Sequence, residues 1–425
     1  MDKLQFLGLL LATAAALQAD TTFALTETQK LVPSNPYMGG DQWGNAVALS
    51  GGTALVAAYQ DNLGAGTGSV AVFSDTGANW QETARLQRPS QPGQFGYDVD
   101  LSGDKALVGA RFAQDSGRAF VYEKSSSSSW VSVDTLSGSS SPTGQFGSSV
   151  SIDGMTALVG SQEGIAYVFE EDSSGDWKQA AQLIPSDMIF PNSLNVSVSV
   201  FGNTALVGYP NAGNATYVFR KDGTGSWNEI AIFTASDADA FGNFGGSVAL
   251  HGNTAIIGAP GLFSDSAPPG AAYIFQEDGS GNWSEVAKLA VANGFNDSVF
   301  GYSVALDANV AIVGDPGDDD AGSGGGTDPG AAYVYYRDEI AGWQLRHELT
   351  ASDAAPGDGF GRTVAVSGNT FLVGAQFNDD NGSASGSAYL FVIPEPHSLI
   401  LILAVGACLS MYRYSVLGTS DGTVY

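Results

Sequence analysis

Residues 244–260 read Phe244-Gly245-Gly246-Ser247-Val248-Ala249-Leu250, then His251-Gly252-Asn253, then Thr254-Ala255-Ile256-Ile257-Gly258-Ala259-Pro260. Two alternating stretches flank a tight Gly-Asn turn, which is the signature of a β-hairpin. Gly270-Ala271-Ala272-Tyr273-Ile274-Phe275 supplies a third strand. A Gly-rich turn then leads to a fourth, Trp283-Ser284-Glu285-Val286-Ala287-Lys288-Leu289.

The unit recurs along the chain. Its anchor pair stands at Trp43-Gly44, Phe95-Gly96, Phe146-Gly147, Leu194-Asn195, Phe244-Gly245, Phe300-Gly301 and Phe360-Gly361, at intervals of 48 to 60 residues. The Trp that opens the fourth strand recurs at Trp80, Trp130, Trp177, Trp227, Trp283 and Trp343. One Trp per unit points first to packing. No stretch of the body shows a convincing amphipathic helix. The spacing predicts an all-β fold, a seven-bladed β-propeller of four-stranded blades over residues 20–392. The seventh unit runs through Gly386-Ser387-Ala388-Tyr389-Leu390-Phe391 and lacks its Trp-led strand. Thr26-Glu27-Thr28-Gln29-Lys30-Leu31 ends in the same Lys-Leu pair as Lys288-Leu289. It is therefore expected to complete the last blade and close the ring, which hides the open edges. A linear solenoid with capped ends is the alternative.

Composition narrows the functions. The 425 residues carry 16 Lys plus Arg against 44 Asp plus Glu, a formal net charge of −28. That excludes a basic footprint for nucleic acid or for anionic headgroups. Hydrophobic residues make up 44%, enough for a real core. Gly, at 56 residues, is nearly twice its usual share and fits many tight turns. With Cys408 alone, the chain has no internal disulfide, and the body has no cysteine metal site or nucleophile. His251, His347 and His397 are too few for a multi-histidine metal centre. No catalytic motif is recognisable, and an enzyme is not expected.

Both ends read as addresses. Met1-Asp2-Lys3, an apolar run to Leu17 and Gln18-Ala19-Asp20 have the form of a signal peptide over 1–19. At the other end, Pro394-Glu395-Pro396 precedes an apolar stretch, about 399–412, and then Arg413. Residues 393–425 resemble a PEP-CTERM sorting tail. The resemblance implies export, transient membrane anchoring through a short hydrophobic helix, and an exosortase-like processing enzyme as a partner. A single Arg, rather than a cluster, follows the helix. The apolar run is also short for a stable span, which takes about 20 residues.

The repeats themselves resemble FG-GAP repeats. Phe244-Gly245 with Gly258-Ala259-Pro260 is the fullest copy, and Phe300-Gly301 with Gly314-Asp315-Pro316 is next. Phe95-Gly96 with Gly109-Ala110, and Phe360-Gly361 with Gly374-Ala375, lack the Pro. The fourth copy keeps Gly208-Tyr209-Pro210. The family includes the propeller heads of integrin α subunits, which bind protein ligands and calcium. In those repeats a DxDxDG calcium loop separates the first two strands. Here that link is a tight turn such as Ser102-Gly103-Asp104, too short for the six to eight oxygens that calcium takes.

Topology sends the two long links of every unit to one face of the ring, where binding residues usually lie. Those links are acidic. They carry Asp61, Asp115, Asp265, Asp315, Asp318, Asp319, Asp320, Asp328, Asp379 and Asp380 in one set, and Asp237, Asp239, Asp297, Asp353 and Asp358 in the other. Asp315, Asp318, Asp319 and Asp320 are the candidate calcium ligands, against the plainer reading of a solvated Asp/Gly turn. The resulting expectation is an exported binding or adhesion module, a monomer that meets an extracellular protein or polysaccharide through its acidic loop face. A glycan-active enzyme using loop carboxylates, or a structural matrix protein without a discrete ligand, are the alternatives.

Overall fold

The computed structural model describes residues 25–34, 39–61, 67–88, 93–126, 128–138, 144–187, 196–210, 214–237, 242–261, 270–291, 298–318 and 329–393. The signal-peptide segment, the tail from Pro394 onward, the Leu194-Asn195 anchor, and Asp319 and Asp320 lie outside them. Among the described residues, 28 strands form seven antiparallel sheets of four, each in meander order. The fifth sheet contains Ser247–His251, Thr254–Ala259, Ala271–Glu277 and Trp283–Leu289, as its sequence predicts. One short 3₁₀ turn, Ala113–Asp115, interrupts the all-β pattern. No described helix is long and apolar enough to cross a membrane.

The first strands of the sheets stand side by side around a central channel. Val47–Ser50 neighbours Phe95–Ser102, and the series continues round to Phe360–Ser367, which returns to Val47–Ser50. This is a closed seven-bladed propeller. Gln29–Leu31 is the outer strand of the last blade, pairing Gln29 with Leu390, Lys30 with Tyr389 and Leu31 with Ala388. The register matches an ordinary fourth strand, where Lys288 faces Tyr273 and Leu289 faces Ala272. The mimicry extends to side chains. Lys288 reaches Asp237 while Tyr273 Oη donates to Asp237 at 2.7 Å. Lys30 reaches Asp353 at 2.7 Å while Tyr389 Oη donates to the same carboxylate at 2.8 Å. Leu31 is fully buried.

The anchor pair now has a physical role. Each anchor Phe sits against two aromatic rings of the third strand, as Phe300 does with Tyr333 and Tyr335 at 5.5 and 6.3 Å between centroids. The Gly beside it is squeezed between blades. Gly301 has φ 91°, and a Cβ there would stand 2.3 Å from the Ala271 carbonyl of the preceding blade. A Cβ on Gly258 of that preceding blade would stand 2.1 Å from the Gly301 carbonyl. Only glycine on both sides lets the two backbones approach this closely. The opening Trp residues pack as expected, with Trp80 and Trp177 buried and Trp283 against Phe233 at 5.4 Å.

The blades share one further regular feature. Six blades have a β-bulge between their third and fourth strands, directly after Val72, Val121, Val168, Val218, Ile274 and Val334. A bulge adds local twist, and its recurrence at one level twists each outer strand alike.

Two substitutions test these contacts by urea unfolding. Leu31→Ala, which empties a buried site on the closing strand, is expected to cost about 2–5 kcal/mol. Gly314→Ala, whose Cβ would meet the Gly361 carbonyl at 1.9 Å, is expected to cost at least about 2 kcal/mol. Gly223→Ala, with open space around it, is expected to stay within about 0.5 kcal/mol of the parent.

Candidate functional site: the mouth of the central channel

The inner strand of each blade is a sheet edge, so its outward N–H groups need partners from elsewhere. The preceding blade supplies them. Val198 N donates to Ser149 Oγ at 3.2 Å, Val200 N to Ser151 Oγ at 3.1 Å and Val304 N to Ser247 Oγ at 3.1 Å. Between the second and third blades carboxylates take this part. Val150 N donates to Asp98 Oδ2 and Ile152 N to Asp100 Oδ2, both at 2.7 Å. Loss of water around them pushes Asp98 up to about 7 and Asp100 up to about 6, against the pull of these N–H donors. The two lie side by side on one strand, and each also accepts from the N–H of the residue after it.

The acidic links look different once folded. Asp315 is buried, with its carboxylate taken by Ser298 Oγ at 2.5 Å, Val299 N at 2.9 Å and Gly317 N at 3.3 Å. Burial pushes it up to about 7. Asp318 is also buried and accepts from Tyr333 Oη. These two of the four candidate calcium ligands are thus turned into the blade. No cluster of three or more metal-ligating side chains occurs among the described residues. The other two candidates, Asp319 and Asp320, lie outside the described residues. Asp358 is buried and accepts from Ala355 N and Asn378 Nδ2. Asp237, Asp353 and Asp380 are paired with lysines. Much of the acidity on this face therefore braces the links. His251 sits on the opposite, short-turn face, against the Phe201 ring and 3.3 Å from Asp307.

The opening of the channel on the long-link face is where the blades stop resembling one another. The residue after the anchor pair lines it in every repeat, and the residue in the Pro place of the Gly-Ala-Pro triplet lines it in the first, fourth, fifth and seventh. In the first, second, sixth and seventh blades the post-anchor residue is Asn45, Tyr97, Tyr302 and Arg362; in the third, fourth and fifth it is Ser148, Val196 and Gly246. In the Pro place, the first, second, third and seventh blades carry Tyr59, Arg111, Gln162 and Gln376. Arg111 lies over the Tyr97 ring at 3.8 Å and Arg362 over the Tyr302 ring at 4.8 Å. Tyr59 meets Tyr97 edge-on at 5.6 Å. Asn45 fixes this group, donating to the Gly96 and Tyr97 carbonyls and accepting from Tyr59 N.

Tyr97 on the second blade and Tyr302 on the sixth flank the shorter Ser148, Val196 and Gly246 between them, which leaves a lopsided recess. A hollow of about 390 Å³ runs over the third to fifth blades, with Tyr97 and Tyr302 lining it from their own blades and Pro210 and Pro260 among its walls. It joins the channel, a cavity of about 530 Å³. Sequence reasoning, drawn to clustered carboxylates, missed this site. Its signal was present as departures from the repeat at the two positions named above.

Comparison with known proteins follows the repeat. Residues 25–73, 90–122, 227–275, 283–335 and 343–391 match the family described as FG-GAP repeat, together more than half of the chain. Among solved structures, a chain of the mitotic checkpoint complex is similar with a TM-score of 0.54 and 14% identity, covering 88% of this chain and 98% of that one. A protein from Lactobacillus plantarum is similar with a TM-score of 0.50 and 14% identity, covering 74% and 86%. At that identity the likeness is one of fold alone. No curated protein sequence matches the chain.

The channel carboxylates generate a pH prediction. A folded carboxyl held above its unfolded value binds more protons than the unfolded chain between the two values, so stability falls as pH rises through that window. For Asp98 the window runs from about 4, its unfolded value, to about 7. Asp98→Ser restores the hydroxyl that other blades use and keeps an acceptor for Val150 N. Its melting temperature is expected to fall less steeply than the parent's between pH 4 and 7. An unchanged slope would contradict the assignment.

Proposed function

We propose that this chain, which belongs to the FG-GAP repeat family, is an exported binding module that holds an extracellular ligand at the channel mouth on its long-link face. The observation that carries the reading is the mouth itself. Seven near-equivalent units would give a near-symmetric rim, yet the side chains lining the opening are the ones that vary, and they vary in step with a recess. Recessed clefts with a few polar groups and aromatic walls are the usual form of a small-ligand site. A matrix protein without a discrete ligand needs no such asymmetry.

The placement of the channel carboxylates supports binding rather than turnover. Glycoside hydrolysis takes two carboxyls that flank a bond. Asp98 and Asp100 instead share one face of one strand and accept backbone N–H groups. The signal-peptide pattern at 1–19 and the sorting-tail pattern at 393–425 support a destination at the cell surface or outside it. They also support an exosortase-like enzyme as the processing partner. The fold closes within one chain, which supports a monomer.

The test is to pass the protein over arrays of extracellular proteins and polysaccharides, together with a variant carrying Tyr97→Ser, Tyr302→Ser and Arg362→Ser. The parent is expected to retain a ligand that the variant loses, and to leave it chemically unaltered after prolonged incubation. A ligand held equally by both proteins would place binding elsewhere, and a cleaved ligand would make the chain an enzyme.

A further inference from the structure

We infer that the channel mouth is a site for an acidic polysaccharide, one whose sugar rings carry carboxylates as uronic acids do. The inference rests on the binding-module reading and names its ligand class. The first ground is charge. Neither Arg111 nor Arg362 forms an ion pair among the described residues, in contrast to Arg220, which Glu277 holds through two bonds of 2.6 and 2.8 Å. Arg111 spends its Nε on Gln94 Oε1 at 2.6 Å, which orients the guanidinium over Tyr97. Arg362 lies between Tyr302 and Phe377, 4.8 and 5.2 Å from the ring centroids. A guanidinium held over an aromatic ring has N–H groups left for a planar, bidentate acceptor, and a carboxylate is that acceptor.

The second ground is shape and surface. The recess of about 390 Å³ falls within the range of small-ligand clefts, about 300–1,000 Å³. Its walls combine Tyr97 and Tyr302 with Ser148, Ser149, Ser197 and Asn243. A pyranose ring presents C–H bonds on its faces and hydroxyls at its rim. It therefore suits aromatic rings beside short hydroxyl and amide side chains better than a peptide does, since a peptide needs paired backbone partners. A chain of such rings could run across the open mouth.

The third ground is that the overall charge does not forbid an anion here. The net charge is −28, but at physiological ionic strength charges more than about 8 Å away are largely screened. Asp237, Asp353 and Asp380 on this face are paired with lysines. Asp100 lies further along its strand, toward the short-turn face, and the Asp98 carboxylate beside Tyr97 accepts from the Val99 and Val150 N–H groups. Arg111 and Arg362 are the cations held against the two tyrosine rings that line the mouth.

Calorimetric titration of the protein with tetragalacturonate, with maltotetraose as the uncharged control and a hexaglutamate peptide as the non-sugar control, decides the matter. Saturable binding of tetragalacturonate alone is expected. Arg111→Gln and Arg362→Gln are each expected to weaken it by about tenfold, the loss of one charge-assisted contact, at an unchanged melting temperature. Equal binding of maltotetraose would overturn the role of the guanidiniums. Equal binding of hexaglutamate would overturn the sugar. Undiminished binding by both arginine variants would overturn the site. If tetragalacturonate fails to bind while another array ligand is retained at the mouth, this inference alone falls and the binding-module reading stands.

Discussion

Glycine against backbone at the junctions of adjacent blades is the constraint from which the rest of the ring follows. Gly258 meets the carbonyl of Gly301, Gly314 that of Gly361, and Gly374 that of Gly44, each closer than any Cβ would allow. The last of these joins the seventh blade to the first. Because the backbones touch, the inner strands come near enough for serine and aspartate of one blade to receive the N–H groups of the next. That removes the exposed edges that seven separate sheets would present. The anchor Phe fills the space just outside the glycine, so the Phe-Gly and Gly-Ala-Pro pairs are two halves of one contact.

Periodicity makes the ring legible in the amino-acid sequence. A repeat anchored by Phe-Gly, turned by Gly-Asn and reopened by Trp has one economical solution, and the Lys-Leu ending at Lys30-Leu31 points to the closing strand. The folded chain adds the reason: Lys30 reproduces the carboxylate and tyrosine partners of Lys288. The bulges are harder to read: the third strand has Phe or Tyr directly after the slip in all six blades, but the extra residue in the fourth strand is of no fixed type, from Thr83 and Ala180 to Val286 and Arg346.

The site is harder to read for a physical reason. Carboxylates in loops look alike in a sequence whether they face solvent or are buried. Asp315 and Asp318 stand out by density, and both prove to be internal acceptors. The mouth is assembled from residues on seven blades, so no local motif contains it. It becomes visible only when the repeats are aligned and their departures compared: Tyr97, Tyr302 and Arg362 after the anchor, Tyr59 and Arg111 in place of proline. Repetition fixes the scaffold, and the positions released from repetition carry what is particular to this chain.

That division of labour makes a direct demand on stability. Thermal unfolding of a Tyr302→Ser, Arg362→Ser double variant, which gives two mouth positions the small polar residue that Ser148 provides in the third blade, measures whether the mouth is dispensable to the ring. The expected result is a melting temperature within a few degrees of the parent, with cooperativity retained. A collapse as large as that from a glycine substitution at a blade junction would show these side chains to be part of the scaffold and would contradict the separation of scaffold from site.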